Sequence, residues 1–297
     1  MKNGIGSAAL AYALWGLIPI YFKAIQTVPA DQILAHRFVW SFLFLILLVI
    51  LRRDWPALRA SLTLRTFLIY LGAGLLLAIN WGLFVWAVNN GHVLEASLGY
   101  FINPLVNVVL GVVFLRERLR PLQWIPVALA SAGVLYLTIS FGRLPWIALG
   151  LAFSFGLYGL VKKLAPLGPL PGLTLETGSL FVVALGYLIA VEIHGAGSFG
   201  HTTPQLSLLV ALSGIVTAVP LLLFAIGARR VSLTTLGLLQ YTSPTLQFLT
   251  GIFLYHETFT AERLIGFCAI WLALILFSAE SLITARRTMA ASPLPAD

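Results

Sequence analysis

Long apolar blocks, each near twenty residues, alternate along this chain with short polar clusters. About twenty apolar residues, rising about 1.5 Å each in an α-helix, span the ~30 Å hydrocarbon core of a bilayer. Hydropathy and charge punctuation therefore predict ten membrane-crossing helices, at residues 4–25, 31–51, 66–88, 95–115, 121–140, 144–161, 171–191, 206–228, 234–254 and 261–280. The connections are short, and no stretch suits a soluble domain. The tail from Arg286 to Asp297 is polar, carries Pro293 and Pro295, and is expected to fray. Pro19, Pro104, Pro126, Pro220 and Pro244 fall inside the spans. Membrane helices tolerate such prolines because neighbouring groups satisfy the freed carbonyls. In transporters they often mark broken helices beside a site.

Composition removes the soluble alternative. Hydrophobic residues make up 60% of the 297 positions and charged residues 9%, with a mean hydropathy of +0.97. A soluble chain of this length has too little interior to hide that much apolar surface. The net charge of +8 would suggest nucleic acid in a soluble protein. Here the bases lie in short clusters between apolar blocks, so membrane topology accounts for them and no nucleic acid is expected. Cys268 is the one cysteine, which rules out an internal disulfide or a cysteine metal cluster. The apolar stretch after Lys2 is too long for a signal peptide and lacks a small-x-small cleavage site, so it predicts a retained first helix.

Lysine and arginine set the predicted orientation. With the N-terminus inside, Lys2, Arg52, Arg53, Arg59, Arg65, Arg116, Arg118, Arg120, Lys162, Lys163, Arg229, Arg230, Arg286 and Arg287 all fall on the cytoplasmic side. Lys23, Arg37, Arg143 and Arg263 remain outside or embedded near that face. This bias predicts that both termini are cytoplasmic.

Displacing the chain by 140 residues aligns its halves without a gap. Gly16, Leu17 and Lys23 fall on Gly156, Leu157 and Lys163. Gly74, Ala78, Leu83, Phe84, Leu98, Pro104, Gly111 and Glu117 fall on Gly214, Ala218, Leu223, Phe224, Leu238, Pro244, Gly251 and Glu257. Span ends, an in-helix proline and a post-helix glutamate coincide, which is a stronger argument than the identities. Five helices is an odd number, so the second copy must be inverted. The charges agree: Asn89 and Asn90, in an outside loop, correspond to Arg229 and Arg230, in an inside loop. Arg116-Glu117-Arg118, inside, corresponds to His256-Glu257-Thr258, outside. The expected fold is an all-α polytopic membrane protein of ten transmembrane helices in two inverted five-helix repeats. These would occupy residues 1–140 and 141–285, with a polar cytoplasmic tail at 286–297.

Ionisable groups inside spans are costly, about 2.5–3.5 kcal/mol each on insertion scales, so each is a candidate for function. His36 and Arg37 lie about six residues into the second span, and the 140-residue shift puts His36 on Glu176. A titratable pair related by a pseudo-two-fold would bias inward- and outward-open states by protonation. The blander account has Arg37 snorkelling to the outer headgroups and Glu176 at the inner ones. Glu95, at the outer start of the fourth span, suits either substrate contact or the positive end of a helix. Glu117 and Glu257 read as gating contacts or as solvated loop charges, and Lys23 and Lys163 as headgroup anchors.

The uncharged polar residues form a second set. Tyr100, Asn103 and Asn107 are three and four apart and share one helical face. The shift maps them onto Gln240, Ser243 and Gln247, with Tyr241 adjacent, and Pro104 and Pro244 interrupt the backbone beside each stripe. Two amide-bearing stripes beside broken helices suit a midplane binding site; interhelical hydrogen bonding alone, at about 0.6 kcal/mol per contact, is the other account. Asn80, Trp81 and Trp86 would add an aromatic wall, whereas Trp55, Trp124 and Trp146 suit the interfacial belts. The sequence contains no phosphate loop, nucleophile elbow or metal-ligand spacing, so no catalytic residue, metal or cofactor is expected.

Leu94-Glu95-Ala96-Ser97-Leu98-Gly99-Tyr100-Phe101-Ile102-Asn103-Pro104-Leu105-Val106-Asn107 resembles the signature of the RarD group, in the EamA-type branch of the drug/metabolite transporter superfamily. Trp15-Gly16 with Pro19 and Tyr21-Phe22-Lys23, Val28-Pro29-Ala30-Asp31 with His36-Arg37, and Asn80-Trp81 with Trp86-Ala87-Val88-Asn89-Asn90 resemble its first three helices. Ala148 to Val161, and Ser232, Thr234, Leu236 and Gly237, are similar to its second half. The resemblance covers nearly the whole chain. It implies a ten-helix carrier of the bacterial inner membrane with both termini cytoplasmic, and the group's name carries an association with chloramphenicol sensitivity. Arg116 and His256 stand where a glycine often precedes the glutamate, which puts any detailed role of those loops in doubt.

Residues and resemblance together predict a secondary transporter, exporting small organic solutes such as metabolites, amino acids or drugs like chloramphenicol. Its partners would be the small-molecule substrate, the lipid bilayer and protons as coupling ion. A membrane-embedded enzyme, a lipid-handling protein and a channel-like facilitator are the alternatives. The last two helices of the repeats carry apolar faces that lipid or a second copy would cover equally well, so an oligomer is open.

Overall fold

The computed structural model describes residues 2–90, 92–140, 142 and 144–255, and then 268, 271–273, 275, 276, 279 and 280. His256, Glu257, Arg263, most of the predicted span at 261–280 and the tail at 286–297 lie outside the described residues.

Those residues form helices and connecting turns, without a strand among them. The helices are α1 (Lys2–Ala24), α2 (Ala30–Leu51), a short α3 (Trp55–Ala60), α4 (Leu64–Asn89), α5 (Val93–Phe114), α6 (Trp124–Ser140), α7 (Trp146–Leu164), α8 (Pro169–Ile193), α9 (Pro204–Arg230), α10 (Leu233–Gln240) and α11 (Thr242–Tyr255). Seven of them, α1, α2, α4, α5, α7, α8 and α9, are long and apolar enough to cross a membrane. Their outward faces are apolar too: Val182 is 74% exposed and Ile193 77%. Such surface is unfavourable in water and at home against lipid tails. The protein is an all-α, multi-pass membrane protein.

Two predicted spans look different in the structure. The fifth begins with a 3₁₀ turn, Pro121–Gln123, which leaves only 17 residues for α6. The ninth is divided at Tyr241 into α10 and α11. Pro244 has no N–H to give the Gln240 carbonyl, so the helix resets there, and Thr245 N donates to Tyr241 O at 3.2 Å. α5, by contrast, runs unbroken through Pro104, so the expected pair of interrupted helices is one broken and one continuous. Elsewhere local chemistry starts helices in familiar ways. The Thr203 hydroxyl accepts from Leu206 N ahead of Pro204, and the Ser232 hydroxyl accepts from Thr235 N.

Close helix approaches rest on small residues, as membrane packing requires. α1 packs on α9 and α11; α7 packs on α4 and α5; α2 crosses both α8 and α9; and α5 packs on α10. A Cβ on Gly16 would lie 2.6 Å from the Leu246 Cβ, and one on Gly156 would lie 2.8 Å from a Val106 methyl. Gly214 abuts the backbone of Trp40, and Gly74 that of Glu176. The Tyr241 hydroxyl donates to the Phe101 carbonyl at 3.2 Å. At the end of α5, Arg116 takes a left-handed φ of +53°, a conformation natural to glycine.

Candidate functional site

Between α1, α2, α4, α5, α7 and the α10–α11 break lies a cavity with about 810 Å³ of empty space, its open mouth included. Its wall is largely aromatic. Trp15 meets Phe155 edge-on, ring centroids 5.6 Å apart, and Trp81 packs on Phe38 at 5.4 Å. Below it, toward the ends of α7 and α9 that carry Lys162 and Arg229, Tyr12, Phe224 and Tyr158 are almost wholly buried. Tyr158 stacks on Phe224 at 5.8 Å, and Tyr12 meets Phe224 edge-on at 6.1 Å.

Asn80, Trp81, Tyr100, Asn103, Gln240 and Gln247 all line the cavity. Their amides are tied to the frame on one side. Asn80 Nδ2 donates to Leu151 O at 2.8 Å and to Ser154 Oγ at 2.9 Å. Asn103 Nδ2 donates to Ala152 O at 2.6 Å, and Gln247 Nε2 to Trp15 O at 3.3 Å. Asn107 and Tyr241 are not among the lining residues. Asn107 sits behind Asn103 and joins the two stripes, donating to Asn103 Oδ1 at 3.1 Å and Gln240 Oε1 at 3.3 Å. Tyr241 is fully buried and turned toward Phe101. Trp86 also stays out of the cavity, stacked on His92 at the surface.

Among the described residues Arg37 is the one charged side chain in the lining, and it does not snorkel. Its side chain is 9% exposed. Nε donates to Thr217 Oγ1 at 2.9 Å, and the guanidinium lies 3.6 Å above the Trp81 ring.

A model of the EamA-like transporter family matches residues 2–139 and again 144–279. The chain belongs to the EamA-like transporter family. It is 47% identical to Protein RarD of Escherichia coli (strain K12) over 97% of each chain. It is 46% identical to an uncharacterized transporter, YojE, of Bacillus subtilis (strain 168), over 93% of this chain and 94% of that one. Its identity to the chloramphenicol-sensitive protein RarD of Pseudomonas aeruginosa is 33%, over 94% of each. A solved crystal structure superposes with a TM-score of 0.71 at 19% identity, over 93% of this chain and 97% of that one, a likeness of fold.

In this EamA-family chain His36 and Glu176 do not meet. Phe42 packs on Gly178 and Phe181, while Ala35 joins an apolar cluster with Ala184. The two helices therefore run in opposite directions at their crossing, and His36 and Glu176 lie on either side of it. His36 rests against Phe199, ring centroids 5.1 Å apart, and its Nδ1 has no hydrogen-bond partner among the described residues. Glu176 is fully buried and pairs with buried Lys162 at 2.7 Å. Glu95 caps a helix other than its own: its carboxylate accepts from Ile147 N, at the start of α7, at 2.8 Å. Glu117 acts similarly on α10, accepting from Leu233 N at 2.6 Å, Thr234 N at 3.0 Å and Thr234 Oγ1 at 2.9 Å. Lys163 bonds the carbonyls of Ala228 and Val231 instead of reaching outward, and Lys23 lies over the Tyr255 ring at 3.7 Å.

Sequence reasoning missed Trp15, Phe155, Thr217 and the role of Lys162. The first two carried a usable signal, because the 140-residue shift maps Trp15 onto Phe155. Thr217 and Lys162 carried none, since their importance comes from the partner each meets.

Proposed function

We propose that this EamA-family protein is a secondary carrier of small organic solutes. It works by alternating access of two inverted five-helix repeats, 1–140 and 141–285, with both termini cytoplasmic and export as its direction. One observation carries the reading: the cavity draws its walls from both halves of the chain. The repeat is supported by pairs of contacts that the same 140-residue shift interconverts. Gly16 against Leu246 maps onto Gly156 against Val106, and the Phe101–Tyr241 bond maps onto itself. The double match of the family model agrees, as do relatives named as transporters.

The arginine-rich end of the bundle is tied by several contacts. There Glu117 caps α10, Lys162 pairs with Glu176, and Arg229 donates to the carbonyls of Ala165 and Leu167 at 2.7 and 2.6 Å. By the positive-inside rule we take this end as cytoplasmic and these contacts as the inner gate. Release of these ties, with closure of the outer rim around Arg37 and Tyr100, is the transition we assign to transport. His36 and Glu176, each buried beside one end of the bundle, are the proposed proton-responsive groups, and Glu95 an outer clamp. Reconstituted protein tested with chloramphenicol, amino acids and nucleobases, with and without a pH gradient, checks the reading. Saturable flux of any of these supports a carrier; flux that rises linearly with concentration would replace it with a channel.

A further inference from the structure

Taking the carrier reading as given, the cavity also indicates what kind of solute it accepts. Among the described residues Arg37 is its one charged lining residue, and no carboxylate forms an ion pair with it. Burying a cation without a counter-ion is unfavourable unless something else compensates it. Thr217 occupies Nε and the Trp81 ring covers one face of the guanidinium. The terminal nitrogens make no hydrogen bond to any described residue. They are not among the fully buried atoms that lack a partner, and Arg37 is part of the cavity lining. Planar paired donors of this sort match a carboxylate edge. A phosphate ester, carrying close to two charges, would call for a second cation, and the described residues of the lining offer none.

We propose that the cavity binds a small organic monoanion, its carboxylate held by the terminal nitrogens of Arg37 and its flat apolar body set between Trp15, Trp81 and Phe155. Neutral molecules of the same shape leave the guanidinium unpaired and bind more weakly; cations are repelled. The stack on Trp81 and the bond to Thr217 fix the fork before the ligand arrives, so little ordering is needed on binding. Tyr100, also in the lining, is the neutral donor nearest in kind to share the anion.

The test uses the purified full chain and matched ligands. Binding of 3-phenylpropionate, 3-phenylpropanamide and 3-phenylpropylamine is followed by tryptophan fluorescence and calorimetry. The acid should bind at least about tenfold more tightly than the amide, as a charge-assisted pair does, and the amine should bind weakest. In Arg37→Gln the acid should lose that advantage while the amide is unchanged, and Arg37→Lys should keep part of it. Equal binding of acid and amide to the unmodified protein would overturn the proposal, even if every Arg37 variant failed to fold. So would an acid preference that survives Arg37→Gln. Flux of the same compounds in proteoliposomes separates this from the carrier reading. An acid preference without flux of any solute would uphold the site and overturn the carrier. Saturable flux of amide and chloramphenicol, with no preference for the acid, would uphold the carrier and overturn the anion site.

Discussion

The Lys162–Glu176 pair lends itself to a quantitative test. Both side chains are buried, at 3% and 0% exposure, and meet at 2.7 Å. Among the described residues neither has a second charge to pair with. The second Glu176 oxygen makes no hydrogen bond, and the lysine nitrogen's other neighbours are the Tyr70 and Tyr158 rings, 5.8 and 5.6 Å away. Removing one member strands the other as a buried charge, which costs about 3–5 kcal/mol. Removing both, with side chains of similar volume, leaves no charge to strand and costs about 1 kcal/mol or less. Lys162→Met and Glu176→Gln alone should therefore each unfold far more readily than the wild type, while the double variant recovers most of the loss. Equilibrium unfolding of purified protein in mixed micelles, followed by circular dichroism, measures all four corners of the cycle. Single variants costing under about 1 kcal/mol, or a double variant whose cost equals the sum of the singles, would refute the argument. Such a result would mean that water or lipid headgroups reach this pair.

Three further outcomes are expected. Gly156→Leu and Gly16→Leu force the same kind of overlap, with Val106 and with Leu246, and each should cost about 1–3 kcal/mol in the same unfolding assay; a cost for one alone would break the proposed equivalence of the halves. Arg116→Gly relieves the left-handed φ of +53° and should raise stability by about 1 kcal/mol, read as a higher unfolding midpoint; a lower midpoint would mean the arginine side chain contributes more than its backbone costs. His36→Ala should flatten the pH dependence of flux in proteoliposomes and leave membrane insertion unchanged, whereas a pH profile like the wild type's would remove His36 from proton coupling.

Much of this protein is legible in one dimension because a bilayer imposes a one-dimensional rule. A block of about twenty apolar residues must be a helix, since hydrocarbon satisfies no backbone polar group. Hence α1, α2, α4, α5, α7, α8 and α9 all fall where the apolar blocks put them. The stripe of Tyr100, Asn103 and Asn107 was visible because residues three and four apart share a helical face. The halving of the ninth span at Tyr241 was only partly visible. Pro104 and Pro244 occupy equivalent positions, yet one helix bends its bonding around the proline and the other restarts. That outcome depends on what surrounds each proline.

The partners belonged to the tertiary structure. Arg37 could have snorkelled to a headgroup or turned into the bundle. Thr217, 180 residues away, and the ring of Trp81 decided between them. Glu95 carried the mark of a helix cap, but only folding brought it to the first turn of α7. Asn107 and Asn103 look alike in sequence, and rotation about the helix axis put one in the cavity wall and the other behind it. Local hydropathy along the chain set which of the described helices are long and apolar enough to cross the membrane. Which charges meet, as Lys162 and Glu176 do, and which line the cavity, as Arg37 does against Thr217, was decided only when the helices packed together, because burial and pairing are properties of neighbours in space.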